Sequence, residues 1–162
     1  MTIKSITFLF LFLTSFVYSQ QKIWLDLNGN QTSREKALYY RGYPKKVKKG
    51  YWIITYYKNG KKYKEGFSTE KNVGLEFYHG IVKFYYKNGN LLKKVGYKNN
   101  VLHGIQREYF ESGELKTLFK FKNGKEDGVW KSFHKSGKIK TKGKYKDGEK
   151  VGVWKTFYKN VY

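Results

Sequence analysis

The sequence predicts an all-β protein: an elongated, single-layer antiparallel β-meander of stacked hairpins that repeat every 24 residues. A fixed period is the first observation behind this. Gly80, Gly104, Gly128 and Gly152 stand 24 residues apart, and Gly89, Gly113 and Gly137 follow the first three at nine residues. Alternation is the second. The runs GIVKFYYKNG, GIQREYFESG, GVWKSFHKSG and GVWKTFYKNV, the last with Val161 where glycine is expected, alternate with the period of two that marks a strand. Turn chemistry is the third. Asn88-Gly89, Ser112-Gly113 and Ser136-Gly137 close one end of each unit, and Asn99-Asn100, Asn123-Gly124 and Asp147-Gly148 close the other. No window keeps the apolar i, i+3, i+4 spacing of a helix.

The elements follow in chain order. Residues 1–19 read as a signal peptide, with Lys4 as the basic start, Ile6 to Val17 as the uncharged apolar stretch and Val17-Tyr18-Ser19 before the cleavage point at Gln20. That stretch is short of the roughly 18–20 residues that span a bilayer, so no transmembrane segment is expected after cleavage. The chain has no cysteine, so it is expected to be neither a lipoprotein nor disulfide-stapled. Residues 20–49 do not repeat and are expected to cap the sheet, with strands at Trp24-Leu25-Asp26 and Ala37 to Arg41. The basic run Lys45-Lys46-Val47-Lys48-Lys49 after Pro44 reads as a solvated connection. Residues 50–162 hold the repeats. Their first copy, YWIITYYKNG, carries one extra residue, which places a β-bulge at Gly50-Tyr51-Trp52, and its longer return predicts an exposed loop near Ser68 to Val73.

Within each repeat, positions one, three and five after the glycine keep a β-branched, basic, aromatic order: Ile81, Lys83, Tyr85; Ile105, Arg107, Tyr109; Val129, Lys131, Phe133; Val153, Lys155, Phe157. This invariant face is expected to be the packing face. The alternate positions vary, and their aromatics are the candidate binding residues: Phe84, Tyr86, Phe110, Trp130, Trp154 and Tyr158, with Trp52 from the first copy. The second strands place Leu91, Val95, Tyr97, then Leu115, Phe119, Phe121, then Ile139, Gly143, Tyr145 on one face and lysines on the other. Of these lysines, Lys98, Lys120, Lys122, Lys144 and Lys146 are the candidate anion-binding residues, stacked about 9–10 Å apart, or two strand spacings.

A net charge of +22, to which the leader contributes only Lys4, favours anionic partners. Acidic lipid, cell-wall polymer or an acidic protein face fits an exported chain, and nucleic acid is the least available there. Catalysis finds no constellation. Thiol chemistry is excluded without cysteine. His79 and His103 share a repeat position too far apart to share a metal easily, and His134 replaces the aromatic of Tyr86, Phe110 and Tyr158. The pairs Glu111 with Glu114 and Glu126-Asp127 sit at turns as solvated charges. The expectation is therefore a non-enzymatic binding protein with no cofactor, metal or catalytic residue.

Gly128-Val129-Trp130-Lys131, Gly152-Val153-Trp154-Lys155 and Lys58-Asn59-Gly60-Lys61 resemble the MORN-like repeat variant, as found in YwqK-type antitoxin proteins. The resemblance covers most of residues 50–162, and Trp24, Asp26 and Tyr39-Tyr40-Arg41 look like the opening of exported bacterial members. It implies an elongated antiparallel sheet and a scaffold for a protein partner, a toxin among the possibilities. The units at Gly80 and Gly104 depart from the pattern, with Val82 and Gln106 in place of the tryptophan. The leader makes one prediction: the exported protein, periplasmic, outer-membrane-associated or extracellular, begins at Gln20 or within a residue or two, as N-terminal sequencing of secreted material would read.

Overall fold

The computed structural model describes residues 22–158; the expected leader 1–19, its cleavage point and Val161 lie outside the described residues. The strands are β1 (Ile23–Leu25), β2 (Tyr39–Arg41), β3 (Lys45–Val47), β4 (Gly50–Tyr57), β5 (Lys62–Ser68), β6 (Gly80–Tyr85) and β7 (Leu91–Lys98), then β8 (Val101–Leu102), β9 (Gly104–Tyr109), β10 (Leu115–Lys122), β11 (Lys125–Glu126), β12 (Gly128–Phe133), β13 (Ile139–Lys146) and β14 (Glu149–Thr156). They form one open antiparallel sheet in the order β1-β2-β4-β5-β6-β7-β9-β10-β12-β13-β14. The short strands extend their neighbours: β3 pairs with β4, β8 with β7 and β11 with β10. No helix occurs among the described residues, so the chain is the meander that the repeat predicts.

Each hairpin is closed by the same three-residue loop. The amide of Tyr86 donates to the carbonyl of Asn90 and that of Gly89 to Tyr86, and the same pair of bonds recurs at Tyr57 to Lys61, Phe110 to Glu114 and His134 to Lys138. The loop needs a left-handed residue before the return strand, and Gly113 supplies it with φ of 107°. A bulge follows at once. Tyr85 pairs with Leu91 but Phe84 with Lys93, leaving Leu92 extra, and Lys116 and Lys140 are the extra residues of the next two units. The first copy obeys the same rule: its bulge lies at Tyr63, between Lys62 and Lys64, and Tyr51 and Trp52 pair in unbroken register with Ser68 and Phe67. The bulge expected at Gly50-Tyr51-Trp52 is therefore displaced to the return strand. At the far end of each hairpin, Asn99-Asn100, Asn123-Gly124 and Asp147-Gly148 hold two successive positive φ values, the mark of the type I′ turn.

A second irregularity sits at every repeat boundary. Lys94 pairs with Arg107 and Tyr97 with Leu102, so the later strand carries two more residues than the earlier one. The same excess separates Leu118 with Lys131 from Phe121 with Glu126, and Lys142 with Lys155 from Lys144 with Val151. The kink is anchored by the amide before the glycine, as where His103 donates to Gly96 and Asp127 to Lys120, both at 2.9 Å. The glycine then turns the chain back with φ of 86° at Gly104 and 114° at Gly128.

The kink and the bulge decide which face packs. Paired residues share a face, so Ile53, Gly66, Val82, Val95, Gln106, Phe119, Trp130, Gly143 and Trp154 form one continuous file across the sheet. Ile53, Val82, Val95 and Gln106 in it are buried. The invariant face is the open one, with Ile81 48%, Ile105 43%, Val129 44% and Val153 76% exposed. This reverses the expected assignment: recurrence marked the solvent face. The bulges also move Leu91, Leu115 and Ile139 to the open face, opposite Tyr85, Tyr109 and Phe133.

At the N-terminal end, two connections pack against the sheet. Leu25 and Ala37 are buried there, and Arg41, 1% exposed, holds the 69–79 loop by an ion pair with Glu76 and a 2.8 Å bond to the Lys71 carbonyl. Of the loop expected near Ser68 to Val73, Thr69 to Asn72 are exposed, but Ser68 is fully buried as the last residue of β5, Val73 is half-buried, and Glu76 and Tyr78 turn inward. The basic run after Pro44 is solvated, yet Lys45–Val47 is a strand and not a mere connection. Tyr63 stacks on Tyr39 with centroids 4.2 Å apart and meets Tyr57 edge-on at 5.2 Å.

Gly128→Val is expected to cost about 1–3 kcal/mol, read as a shifted denaturation midpoint. No close neighbour would block the side chain, the nearest being Lys120 side-chain carbon at 3.7 Å, so the cost is backbone strain alone. The tyrosine cluster predicts an alkaline limit. Burial first, then the neighbouring tyrosines, pushes the Tyr63 hydroxyl up to about 12. Its contribution is full below about pH 10, the ordinary tyrosine value, and is lost as pH rises towards 12. Tyr63→Phe should therefore fall off less steeply over that window, and alkaline unfolding profiles identical to wild type would contradict this.

Candidate functional site

The open face carries a second file, one residue out of step with the packed one. Successive pairings join Ile54, Glu65, Lys83, Lys94, Arg107, Leu118, Lys131, Lys142 and Lys155 across the sheet from β4 to β14. Six of these nine are cations. Neighbouring strands stand about 4.8 Å apart, so Lys83 faces Lys94 and Lys131 faces Lys142, which faces Lys155, at close quarters. Like charges set directly opposite one another are destabilising, and this sheet repeats the arrangement.

Only the first member is neutralised. Glu65, on the same face, accepts from Lys62 at 2.8 Å and from the Tyr85 hydroxyl, and lies 3.9 Å from Lys83. Burial opposes its charge, but those hydrogen bonds and the charges of Lys62 and Lys83 outweigh it and hold its carboxyl below the ordinary value. Lys94, Arg107, Lys131, Lys142 and Lys155 make no ion pair among the described residues. Two residues to one side of the file stand Ile81, Ile105, Val129 and Val153, and two to the other stand Tyr85, Tyr109, Phe133 and Phe157. At the C-terminal end these rows enclose a groove of about 490 Å³ whose lining includes Val129, Lys131, Lys142, Lys144, Val153 and Lys155.

The lysines expected to bind anions lie on the same face but outside this file. Lys98, Lys120, Lys122 and Lys144 are exposed, and successive ladder members are separated by an intervening strand. Their pairing partners are Val101, Ile105, Lys125 and Val129. Lys146 is paired with Glu149 in register and lies 3.7 Å from Asp127 and 3.9 Å from Asp147, so acidic neighbours offset its charge. The signal that could have found the file is the invariant base at position three of each repeat.

The candidate aromatics do not form one surface. Trp52 is on the open face in a groove of about 350 Å³ with Tyr40, Tyr56 and Lys45. Phe84 is on the packed face under the Lys93 ammonium, 4.8 Å from its ring. Trp130 and Trp154 meet at 5.4 Å across Gly143, where an added Cβ would lie 2.3 Å from the Trp154 indole. Tyr86 is a structural stitch, its hydroxyl donating to the Tyr109 carbonyl at 2.8 Å, as Tyr57 does to Tyr85 at 2.7 Å. His134 repeats the contact with the Phe157 carbonyl at 3.2 Å, and Phe110, without a polar atom, instead lies near Lys116 and Lys135. Tyr158 is 86% exposed. Among the described residues, no group of three or more His, Asp or Glu is placed to hold a metal ion.

No curated protein matches the chain in sequence. Among solved structures, a chain in the crystal structure of accessory secretory protein 1, 2 and 3 in Streptococcus pneumoniae is similar over 76% of this chain, at 14% identity and a TM-score of 0.24. This chain spans 20% of that one's length. The model of the MORN repeat variant matches residues 78–99, 102–123 and 126–147. Each match opens two residues before a boundary glycine and ends at the first residue of a type I′ turn, so one match is one hairpin with its kink. Within residues 78–147 this chain therefore carries three tandem MORN-like repeats, in step with its hairpins.

Proposed function

We propose that this protein is an exported, non-enzymatic binding scaffold whose open sheet face takes an anionic partner of the cell envelope. The observation that supports the reading is the file of cations set side by side with one carboxylate at its start. A surface meant only for solubility would intersperse both signs. Here the chain places like charges on facing positions, repeats the arrangement in successive hairpins and backs it with the packed file. A bound anion relieves the repulsion, which ties the arrangement to occupancy.

A second reading keeps a protein partner, a toxin among the possibilities, as in YwqK-type antitoxin proteins. Its support is the accessible aromatic surface of the Trp52 groove and Tyr158. The two readings differ in their response to salt, since exposed charge is screened over about 10 Å at 0.1 M while apolar contact is not. The mature chain should bind vesicles of phosphatidylglycerol and a polyglutamate resin, release both as salt rises, and ignore phosphatidylcholine and neutral dextran. Retention that is indifferent to salt, or absent from both anionic probes, would turn the choice to the protein partner.

A further inference from the structure

We infer that the anionic partner is a linear polymer laid across the strands along the cationic file, and not a flat charged surface. The inference rests on the anionic reading above and adds the shape of the ligand. Lys83, Lys94, Arg107, Lys131, Lys142 and Lys155 lie in a single line spanning six strand steps, β6 to β14, or about 29 Å. The line has walls. On one side Ile81, Ile105 and Val129 alternate with Gly96, Lys120 and Lys144, and on the other Tyr85, Tyr109 and Phe133 alternate with Leu91, Leu115 and Ile139, giving a lane about 13–14 Å wide between row centres.

The sheet cannot present that line to a plane. Adjacent strands rotate by about 20–25°, so six steps turn the file by about 120–150°. The bulges at Leu92, Lys116 and Lys140 add to the local twist. A bilayer could reach two or three of the cations at once, whereas a flexible chain can follow all six. The lane also has a defined start. Glu65 stands in the file just before Lys83 and, held by Lys62, Lys83 and the Tyr85 hydroxyl, interrupts the row of free cations there. Between the two triplets lies Leu118, the one uncharged gap in the run.

Inorganic polyphosphate of graded length and phosphatidylglycerol vesicles separate the possibilities, with full mature protein and two triple variants of equal charge. The first removes file residues, Lys131→Gln, Lys142→Gln and Lys155→Gln. The second removes exposed cations of the strand ends, Lys98→Gln, Lys122→Gln and Lys125→Gln. Wild-type affinity should climb with polyphosphate length until the chain covers the file, then flatten. The file triple should bind about 100-fold more weakly, from roughly 1 kcal/mol for each surface lysine. The strand-end triple should lose less than about fivefold. Leu118→Lys, which closes the gap, should bind more tightly and steepen the salt dependence by about 0.7 in log–log slope.

Equal losses in the two triples would mean that net charge alone is read and would overturn the inference. So would tighter binding to vesicles than to polyphosphate at matched charge, or no gain from Leu118→Lys. If wild type bound neither probe, the anionic reading itself would fall, an outcome distinct from binding without regard to the file.

Discussion

The architecture depends on a parity. At every boundary between repeats the chain gains two residues over its neighbour, and two is even. A strand's side chains alternate, so an even surplus returns each residue to the face it left, while a surplus of one would exchange the faces from that point onward. The positive-φ glycine makes the surplus possible, because the chain must double back where an L-residue with a β-branched side chain would be strained. With an odd surplus there, the packed file from Ile53 to Trp154 and the charged file beside it would change sides at each unit.

That the charged file exists at all follows from what lies behind it. Every cation in it is adjacent in sequence to a member of the packed file: Val82 to Lys83, Val95 to Lys94, Gln106 to Arg107, Trp130 to Lys131, Gly143 to Lys142 and Trp154 to Lys155. Apolar burial of a single valine side chain contributes about 1.5 kcal/mol or more, and an aromatic pair adds about 0.5–1.5 kcal/mol. Facing like charges cost a few tenths to about 1 kcal/mol each in a solvated sheet. Packing wins this comparison, so the backbone holds the cations in register despite their repulsion. The hydroxyls of Tyr57 and Tyr86 and the imidazole of His134 join consecutive turns along one margin, adding a polar brace where the apolar file is absent.

Much of this was legible in the sequence. The period, the two turn types and the order of the hairpins follow from glycine and asparagine positions whose chemistry is local. The faces were not legible, because period-two counting assumes an unbroken strand. One extra residue at Leu92 puts Leu91 opposite Tyr85 instead of beside Val95, and nothing in the composition of Leu91-Leu92-Lys93 announces it. The grip of Arg41 on the 69–79 loop was equally hidden, since its partner Glu76 lies 35 residues away in a segment with no periodicity. The cationic file failed to appear for a related reason. Lys83 and Lys94 belong to different strands of the repeat, and only the register through the bulge sets them face to face.

The even surplus also bears on how such a chain can change over time. A tandem duplication or loss of one 24-residue unit, cut at any phase, carries a whole hairpin, one bulge and one kink, and so leaves the faces of all other units untouched. Unequal recombination between the near-identical stretches at Gly128 and Gly152 is thus structurally silent in every respect but length. Each unit gained carries its own first-strand and return-strand positions of the charged file, so the reach of that file can be set by copy number while each hairpin keeps the same design.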